Sequence, residues 1–468
     1  MTAGSTPPGS ATTAPEMPPR PPSRSRGGRR VWPIVVVVII ILAGIGGGLG
    51  YYFYEKGKST STPSIVFSGW VSSGAEYNFD QAMVSAFNAL HTNVSVKFEP
   101  ITTSNYYTGL ENEFVAGNQP AVFYMENDVL PEFAHAGYLM NLGPTLSANT
   151  TYDLNGFEPG VINSFYFNGN LYAAPKDWSA LFVLFNKQIF NQEHVAYPTN
   201  LTSWTWSTFQ STLTHLKANE SLLPGGGAGY YPMVEGAQFA RILAFMHEAG
   251  GQWINQAGNG AASNSAGLES AIQFWYGLYS SGLAGLNSNM SAGWNGGDFA
   301  TGKVGMVVTG NWAIPVLNAS GAYFANQMSS VGYTVMPSDT QAATMMFNVG
   351  LSLASGMSGV KLWTAEQFLE YFTGPTGEQK WVSNGLALPS RTAILDSAGY
   401  QSAFPIDYLA GSQFPVAYGW NYNTTNFQAT EADCHSVIAN LFAGKLTPQA
   451  AYQQILTVTN QDLAGTGT

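Results

Sequence analysis

SIVFSG (residues 64–69), NFDQAMVSAFNAL (78–90), VSVKF (94–98), YYTGLENEFVA (106–116) and AVFYM (121–125) follow one another along a short stretch of chain. The first is an apolar run of strand length. In the second, Phe79, Met83, Ala86, Phe87 and Leu90 recur at helical spacing, which predicts an amphipathic helix. Val94, Val96 and Phe98 alternate, as one face of a strand does. The fourth segment reads as a helix and the fifth as a third strand. A βαβαβ order of this kind points to a parallel sheet covered by helices.

Downstream, the pattern of strands and helices continues. Residues 181–185, 303–308 and 331–336 read as strands. Residues 204–216, 236–248, 267–279, 363–372 and 447–456 read as helices, the first with Thr202 or Ser203 as its cap. No short-period internal repeat is visible.

Upstream, residues 1–30 are rich in Pro, Ser, Thr, Gly and Arg and cannot bury enough apolar surface to fold. VWPIVVVVIIILAGIGGGLG (31–50) follows without a charge, and Tyr51, Tyr52, Phe53 and Tyr54 close it. A run of that length spans a bilayer core as a helix. Arg20, Arg24, Arg26, Arg29 and Arg30 precede it, so the N-terminus is expected in the cytoplasm and the rest outside. The competing reading, a cleaved signal peptide, calls for a shorter apolar run and an A-x-A site, and no lipobox cysteine lies nearby. The expected organisation is a disordered cytoplasmic segment (1–30), a single-pass anchor in the cell membrane (31–54) and a stalk (55–63).

With 468 residues, 45% of them hydrophobic, the chain can bury a large core divided among more than one unit. Its net charge is -11, although its first 30 residues carry five arginines. An acidic body offers no basic surface to neutralise phosphates, which argues against a nucleic-acid partner. Cys434 is the only cysteine, so an intrachain disulfide and a site of two or more thiolates are excluded. Sequons stand at Asn93, Asn149, Asn200, Asn219, Asn289, Asn318 and Asn423, either as glycan sites or as a by-product of an Asn-, Ser- and Thr-rich composition.

Several ordered segments resemble the extracellular solute-binding proteins of the maltose and oligosaccharide type, which serve ABC importers. They are FVAGNQPAVFY (114–124) with GYLMNL (137–142), NGNLYAAPKDWSALFVLFNK (168–187), the Trp204–Phe209 element, FATGKVGMVVTGNW (299–312), FLEYFTGPTGEQKW (368–381) with GLALPSR (385–391), and AGKLTPQA (443–450). The likeness runs from about residue 64 to 460 and rests on order and spacing together. Two departures stand out: Ala121 replaces the family's usual Asp, and the acidic residue expected in the Trp204 element is absent.

The resemblance implies an α/β, two-lobe periplasmic-binding-protein-like fold with a hinge and an inter-lobe ligand cleft, here preceded by one N-terminal transmembrane helix. Lobe one would comprise 64–176 plus 340–392, and lobe two 180–336 plus 393–466. Hinge crossings are expected near 175–180 and near Ser338. The implied activity is capture of a carbohydrate for delivery to the permease subunits of an ABC transporter. No enzyme activity, cofactor or metal is implied.

A sugar offers hydroxyls at its edges and C–H patches on its faces, so its site needs flat aromatics with carboxylates or amides. Trp312 matches the family position that stacks on a sugar ring, with Asn311 beside it; the alternative is a core Trp following its strand. Asp177 and Trp178 stand at the expected hinge crossing, where Asp177 would accept from hydroxyls or else pair with Lys176 or Lys187. Glu126, Asn127 and Asp128 follow the third strand, whose C-terminal end faces the crevice of an open α/β sheet. Asp128 matches a hydroxyl-binding position, although a helix cap suits it equally. Trp70 and Glu76 flank the turn after the first strand, either as ligand contacts or as a solvated turn. Tyr418 and Trp420 resemble a segment that supplies a late cleft aromatic. Arg391 reads as structural.

Two other readings compete. The same fold could bind a peptide, a polyamine or an oxyanion: polyamine sites also use aromatics and carboxylates, whereas an oxyanion site needs cationic or backbone donors, and Arg241 and Arg391 are the only arginines past the expected anchor, which argues against it. A surface-anchored glycoside-acting enzyme would need a carboxylate pair at a defined separation, and no pair is singled out. H-E-x-x-H and G-x-S-x-G are both missing from the sequence, and its six histidines are scattered.

Overall fold

The computed structural model describes residues 62–465 apart from 102–105, 200–202, 384 and 421. The Pro- and Arg-rich segment, the expected anchor and nearly all of the stalk lie outside the described residues. Among the described residues, no helix is long and apolar enough to cross a membrane.

Among the described residues there are twelve strands: β1 (Ser64–Ser68), β2 (Ser95–Phe98), β3 (Val122–Glu126), β4 (Tyr166–Phe167), β5 (Asn170–Leu171), β6 (Ala174–Asn186), β7 (Tyr231–Glu235), β8 (Ala284–Leu286), β9 (Val304–Gly310), β10 (Val331–Thr334), β11 (Thr344–Leu353) and β12 (Ala417–Gly419). Ten of them form one continuous sheet in the order β2-β1-β3-β11-β6-β9-β7-β8, with β10 beside β6 and β12 beside β11. The opening βαβαβ stretch folds as expected. β1 pairs in parallel with β2 and β3, and helices Gly74–Leu90 and Tyr106–Ala116 connect them.

The sheet is mixed, not parallel throughout. β11 runs antiparallel to both β3 and β6, and β6 antiparallel to β9. β6 is 13 residues long and buried along its whole length. Its first half pairs with β11 and its second half with β9 and β10. β11 likewise pairs with β12 at its start and with β3 at its end. β6 and β11 are therefore the two strands that tie the two ends of the sheet together.

The buried side chains form two apolar clusters. One gathers around Phe67, Phe87, Phe123, Phe368 and Trp381. The other gathers around Phe209, Phe245, Trp253, Trp275 and Ile438. β6 supplies both, because strand side chains alternate between faces: Phe182 and Leu184 join the first, and Leu181, Val183 and Phe185 the second. At about 1.5–3 kcal/mol for each fully buried large apolar side chain, these clusters carry the fold.

Helix starts expected at 204, 236 and 363 are shifted to Trp206, Phe239 and Gly359. The helix expected from residue 204 begins at Trp206, and Thr205 is its cap, accepting from Thr208 N while Thr208 Oγ1 accepts from Thr205 N. That reciprocal pair satisfies two orphan donors at once, so Thr205 prevails over Thr202 or Ser203.

Candidate ligand-binding cleft

A cavity of about 410 Å³ opens where β6 and β11 pass between the two ends of the sheet. On one side it is lined by Trp70, Ser72, Glu76, Tyr106, Tyr107 and Glu126. All of these follow from the local fold of the βαβαβ stretch. Trp70 lies just past β1 and is held edge-on by Tyr106 and Tyr124, each with its ring centre 5.1 Å away. Glu76 sits in the first turn of helix Gly74–Leu90, whose cap is Ser73. Its carboxylate accepts from Ser72 N at 2.7 Å and Ser72 Oγ at 2.6 Å. Burial raises the Glu76 pKa against the opposing pull of Lys176.

Glu126 ends β3. Its carboxylate accepts from the Tyr107 hydroxyl at 3.1 Å, and its backbone N–H donates to the same hydroxyl at 2.8 Å. Burial pushes the Glu126 pKa up to about 7. Burial thus favours the protonated form, which can donate to a ligand hydroxyl, while the ionised form accepts from one.

The floor comes from β6 and β11: Lys176, Asp177, Ser179, Phe347 and Val349. The β6–β11 register shifts here, so that Val349 faces Asp177 while Gly350 faces Pro175. Lys176 is the extra residue of this bulge, and the bulge brings the adjacent Lys176 and Asp177 to the same cavity. Lys176 Nζ lies 2.6 Å from Asp177 Oδ2, which also accepts from Trp381 Nε1 at 2.6 Å. The ammonium is further held 3.9 Å from the Trp381 ring centre and 4.2 Å from that of Tyr124. Asp177 thus lines the cavity and is ion-paired as well.

The opposite side carries Trp312 and Arg241. Trp312 stands in the short turn Asn311–Ala313 directly after β9. A Cβ at Gly310 would come within 2.2 Å of the Trp312 ring, so glycine there lets the indole lie back across the strand end. The indole meets Phe347 edge-on at 5.5 Å.

Of the residues singled out from sequence, the cavity brings together Trp312, Asp177, Glu126, Trp70 and Glu76. The others lie elsewhere. Trp178 is fully buried and donates from its indole to Pro389 O at 2.7 Å, because alternation along β6 turns it away from Asp177. Asn311 is fully buried, accepting from Ala180 N at 3.3 Å and donating to Asp407. Asn127 bonds across to Asn348 at 3.3 Å. Asp128 accepts from Val129 N at 3.0 Å, and burial together with the Glu126 carboxylate holds its pKa well up. Trp420 packs in the second core against Phe427 and Phe347, reaching the cavity only through Phe347. Tyr418 stacks on His247 with ring centres 4.0 Å apart, away from the cavity.

Sequence reasoning passed over Lys176 and Tyr107 as ligand contacts, and considered Arg241 only as a donor for an oxyanion, a reading it disfavoured. For Arg241 a signal existed: it is the one charge in the apolar run FARILAF (239–245). Among the described residues there is no cluster of three or more His, Cys, Asp or Glu able to hold a metal.

A lined cleft beside paired crossing strands, with aromatics on both walls, has the form of a small-molecule site. A family model described as bacterial extracellular solute-binding protein matches residues 82–405. The chain belongs to that family. This is a family of binding proteins and not of enzymes. An ABC transporter extracellular-binding protein of Pyrococcus horikoshii is 26% identical over 146 residues, 31% of this chain and 32% of that protein. The chain thus matches about a third of the length of that curated relative. Among solved structures, this solute-binding protein is similar to the ABC substrate-binding protein of Listeria monocytogenes in complex with cycloalternan (TM-score 0.75, 18% identity, covering 86% of this chain and 99% of that one). The acarbose-binding receptor of Streptomyces glaucescens gives a TM-score of 0.74 at 18% identity, over 86% of this chain and 99% of that one. Maltose-bound MalE3 of T. maritima gives 0.73 at 16% identity, over 84% and 98%. At such identities the likeness establishes the α/β periplasmic-binding-protein-like fold.

Proposed function

We propose that this chain is the membrane-anchored, extracellular solute-binding component of an ABC importer, and that it captures a sugar or oligosaccharide in the cleft and hands it to the permease. Residues 31–54 are the anchor in this reading. The lobes are 64–176 plus 340–392 and 180–336 plus 393–466, closing about β6 and β11 to trap the ligand. The observation that carries the reading is the pairing of Trp70 and Trp312 on opposite walls with Glu76, Glu126 and Asp177 in one cavity of about 410 Å³. That volume falls in the range of small-molecule sites. Flat rings pack on sugar C–H faces and the carboxylates accept from hydroxyls.

A polyamine would also satisfy rings and carboxylates. Lys176 is neutralised by Asp177, but Arg241 has no ion pair in the lining and disfavours a cation beside Trp312, which favours the saccharide.

Thermal shift of the chain against mono- and oligosaccharides, polyamines and peptides tests this, because a ligand selective for the folded state raises the midpoint. A saccharide is expected to raise it, and Trp312→Ala to weaken that saccharide roughly tenfold or more, as loss of an aromatic anchor does. A shift with polyamines or peptides alone would retain the fold and discard the sugar.

A further inference from the structure

Among the described residues the Arg241 side chain has no hydrogen-bond or ion-pair partner. It is buried to 9% exposure, it lines the cavity, and its Nε is buried without a hydrogen-bond acceptor. Among the described residues the guanidinium makes no hydrogen bond and no ion pair; its one electrostatic contact is the Trp312 ring, 5.4 Å away. Glu235, at the end of β7, forms no ion pair with it. It is fully buried with neither carboxyl oxygen bonded, and burial alone raises its pKa, as burial alone lowers that of Arg241 to about 10. Arg241 also occupies the first turn of helix Phe239–Glu248, whose Gln238 cap makes no side-chain bond, so the helix dipole adds positive potential there.

A buried cation kept without an anion is costly to the protein. Its five donors form a planar fork that matches a carboxylate. It stands beside Trp312, so that a sugar ring packed on the indole presents its substituents to the fork.

We propose that the ligand is an acidic saccharide containing a hexuronate, whose carboxylate docks on Arg241 while its hydroxyls meet Glu76, Glu126 and Asp177 across the cavity. The proposal rests on the sugar reading above and narrows it. A monoanionic carboxylate fits better than a dianionic phosphate ester, because a single guanidinium without an ion pair faces three carboxyl groups in the same cavity; the planar fork matches a planar carboxylate better than a tetrahedral sulfate ester.

The test is calorimetric titration of the full-length chain in detergent. The probes are mono- to trisaccharides of glucuronate, galacturonate and mannuronate, their neutral hexose counterparts, and hexose phosphates and sulfates. The expected result is a uronate bound at least tenfold tighter than its neutral counterpart. That preference should disappear in Arg241→Gln and survive in part in Arg241→Lys. A neutral sugar bound as tightly as every uronate, or an Arg241→Gln loss equal for both, overturns the acidic ligand and leaves the sugar reading standing. Preference for a phosphate or sulfate ester overturns the carboxylate. No binding by any sugar, acidic or neutral, overturns the sugar reading itself and this assignment with it.

Discussion

Arg241 illustrates how one side chain can serve binding at the expense of stability. Burial holds its pKa down near 10, which at about 1.4 kcal/mol per pH unit amounts to roughly 3 kcal/mol of unoffset desolvation in the empty cleft. Arg241→Met keeps the stem and removes the charge, so the unliganded variant is expected to be more stable by about 1–3 kcal/mol. Urea unfolding of the ligand-free protein measures this; a variant less stable than the parent would mean that a neighbour already balances the charge. The rest of the site was partly legible at this scale. Trp70, Glu76, Glu126, Asp177 and Trp312 could be picked out because strand ends and family spacing locate them. Lys176 could not, since its aim depends on a bulge opposite Val349–Gly350, and nothing in PKDW announces a bulge. Trp178 shows the converse: next to a cavity residue in sequence, it points into the core because strand neighbours face opposite ways.

At the scale of elements, Arg391 is a fastener. It is 2% exposed, and its guanidinium donates to Thr373 O at 3.1 and 3.0 Å, Tyr152 O at 3.0 Å and Asp153 O at 2.9 Å. Its Nε lies 3.3 Å from Glu378 Oε2, and Phe157 packs under it at 4.0 Å. It therefore ties the end of helix Gly359–Thr373 and helix Pro375–Val382 to the turn before Phe157. Lysine keeps the charge but cannot span four acceptors in one plane. Arg391→Lys is expected to cost about 3 kcal/mol, read as a lower urea midpoint at unchanged slope, through the stranded carbonyls; an unchanged midpoint would show that the carbonyls find other donors. Helices and strands with one buried face were legible: the 106–116 helix has the limits that its periodicity gives. β11 escaped notice. It is a ten-residue strand enclosed by β3 and β6, so TMMFNVGLSL shows no alternation, and Asn348 and Gly350 break its apolar run. A mixed sheet was unreadable for the same reason, because strand direction is set by partners distant in sequence.

For the molecule as a whole, the buried carboxyl groups set the pH at which the fold is firmest. Asp80, Glu126, Glu235, Glu248 and Asp407 are enclosed, and burial is the first cause of a raised pKa at every one, with Glu126 brought to about 7 and Asp407 to about 8. In the unfolded chain such groups titrate near 4. Between roughly pH 4.5 and 7 the folded state therefore holds protons that the unfolded chain has released. Stability then falls as pH rises, by about 1.4 kcal/mol per pH unit for each such group. His247 acts in the opposite sense: burial lowers its pKa to about 4, so the unfolded chain binds the extra proton below about 6.5 and stability rises with pH there. His435, also lowered by burial, adds to that side. Five carboxyls outweigh two imidazoles, so the melting temperature is expected to be higher at pH 5 than at pH 7.5, with net proton release on unfolding in that window. Calorimetry in buffers of different ionisation enthalpy reads both quantities. Asp407→Asn supplies the control, since the amide mimics the protonated acid and keeps a carbonyl for the Asn311 donor. It should flatten the slope by about one proton's share and raise the melting temperature at pH 7.5. A melting temperature that climbs from pH 5 to 7.5 would mean that water or ligand-free breathing of the cleft solvates these carboxylates, and the proton balance would then lie with the histidines.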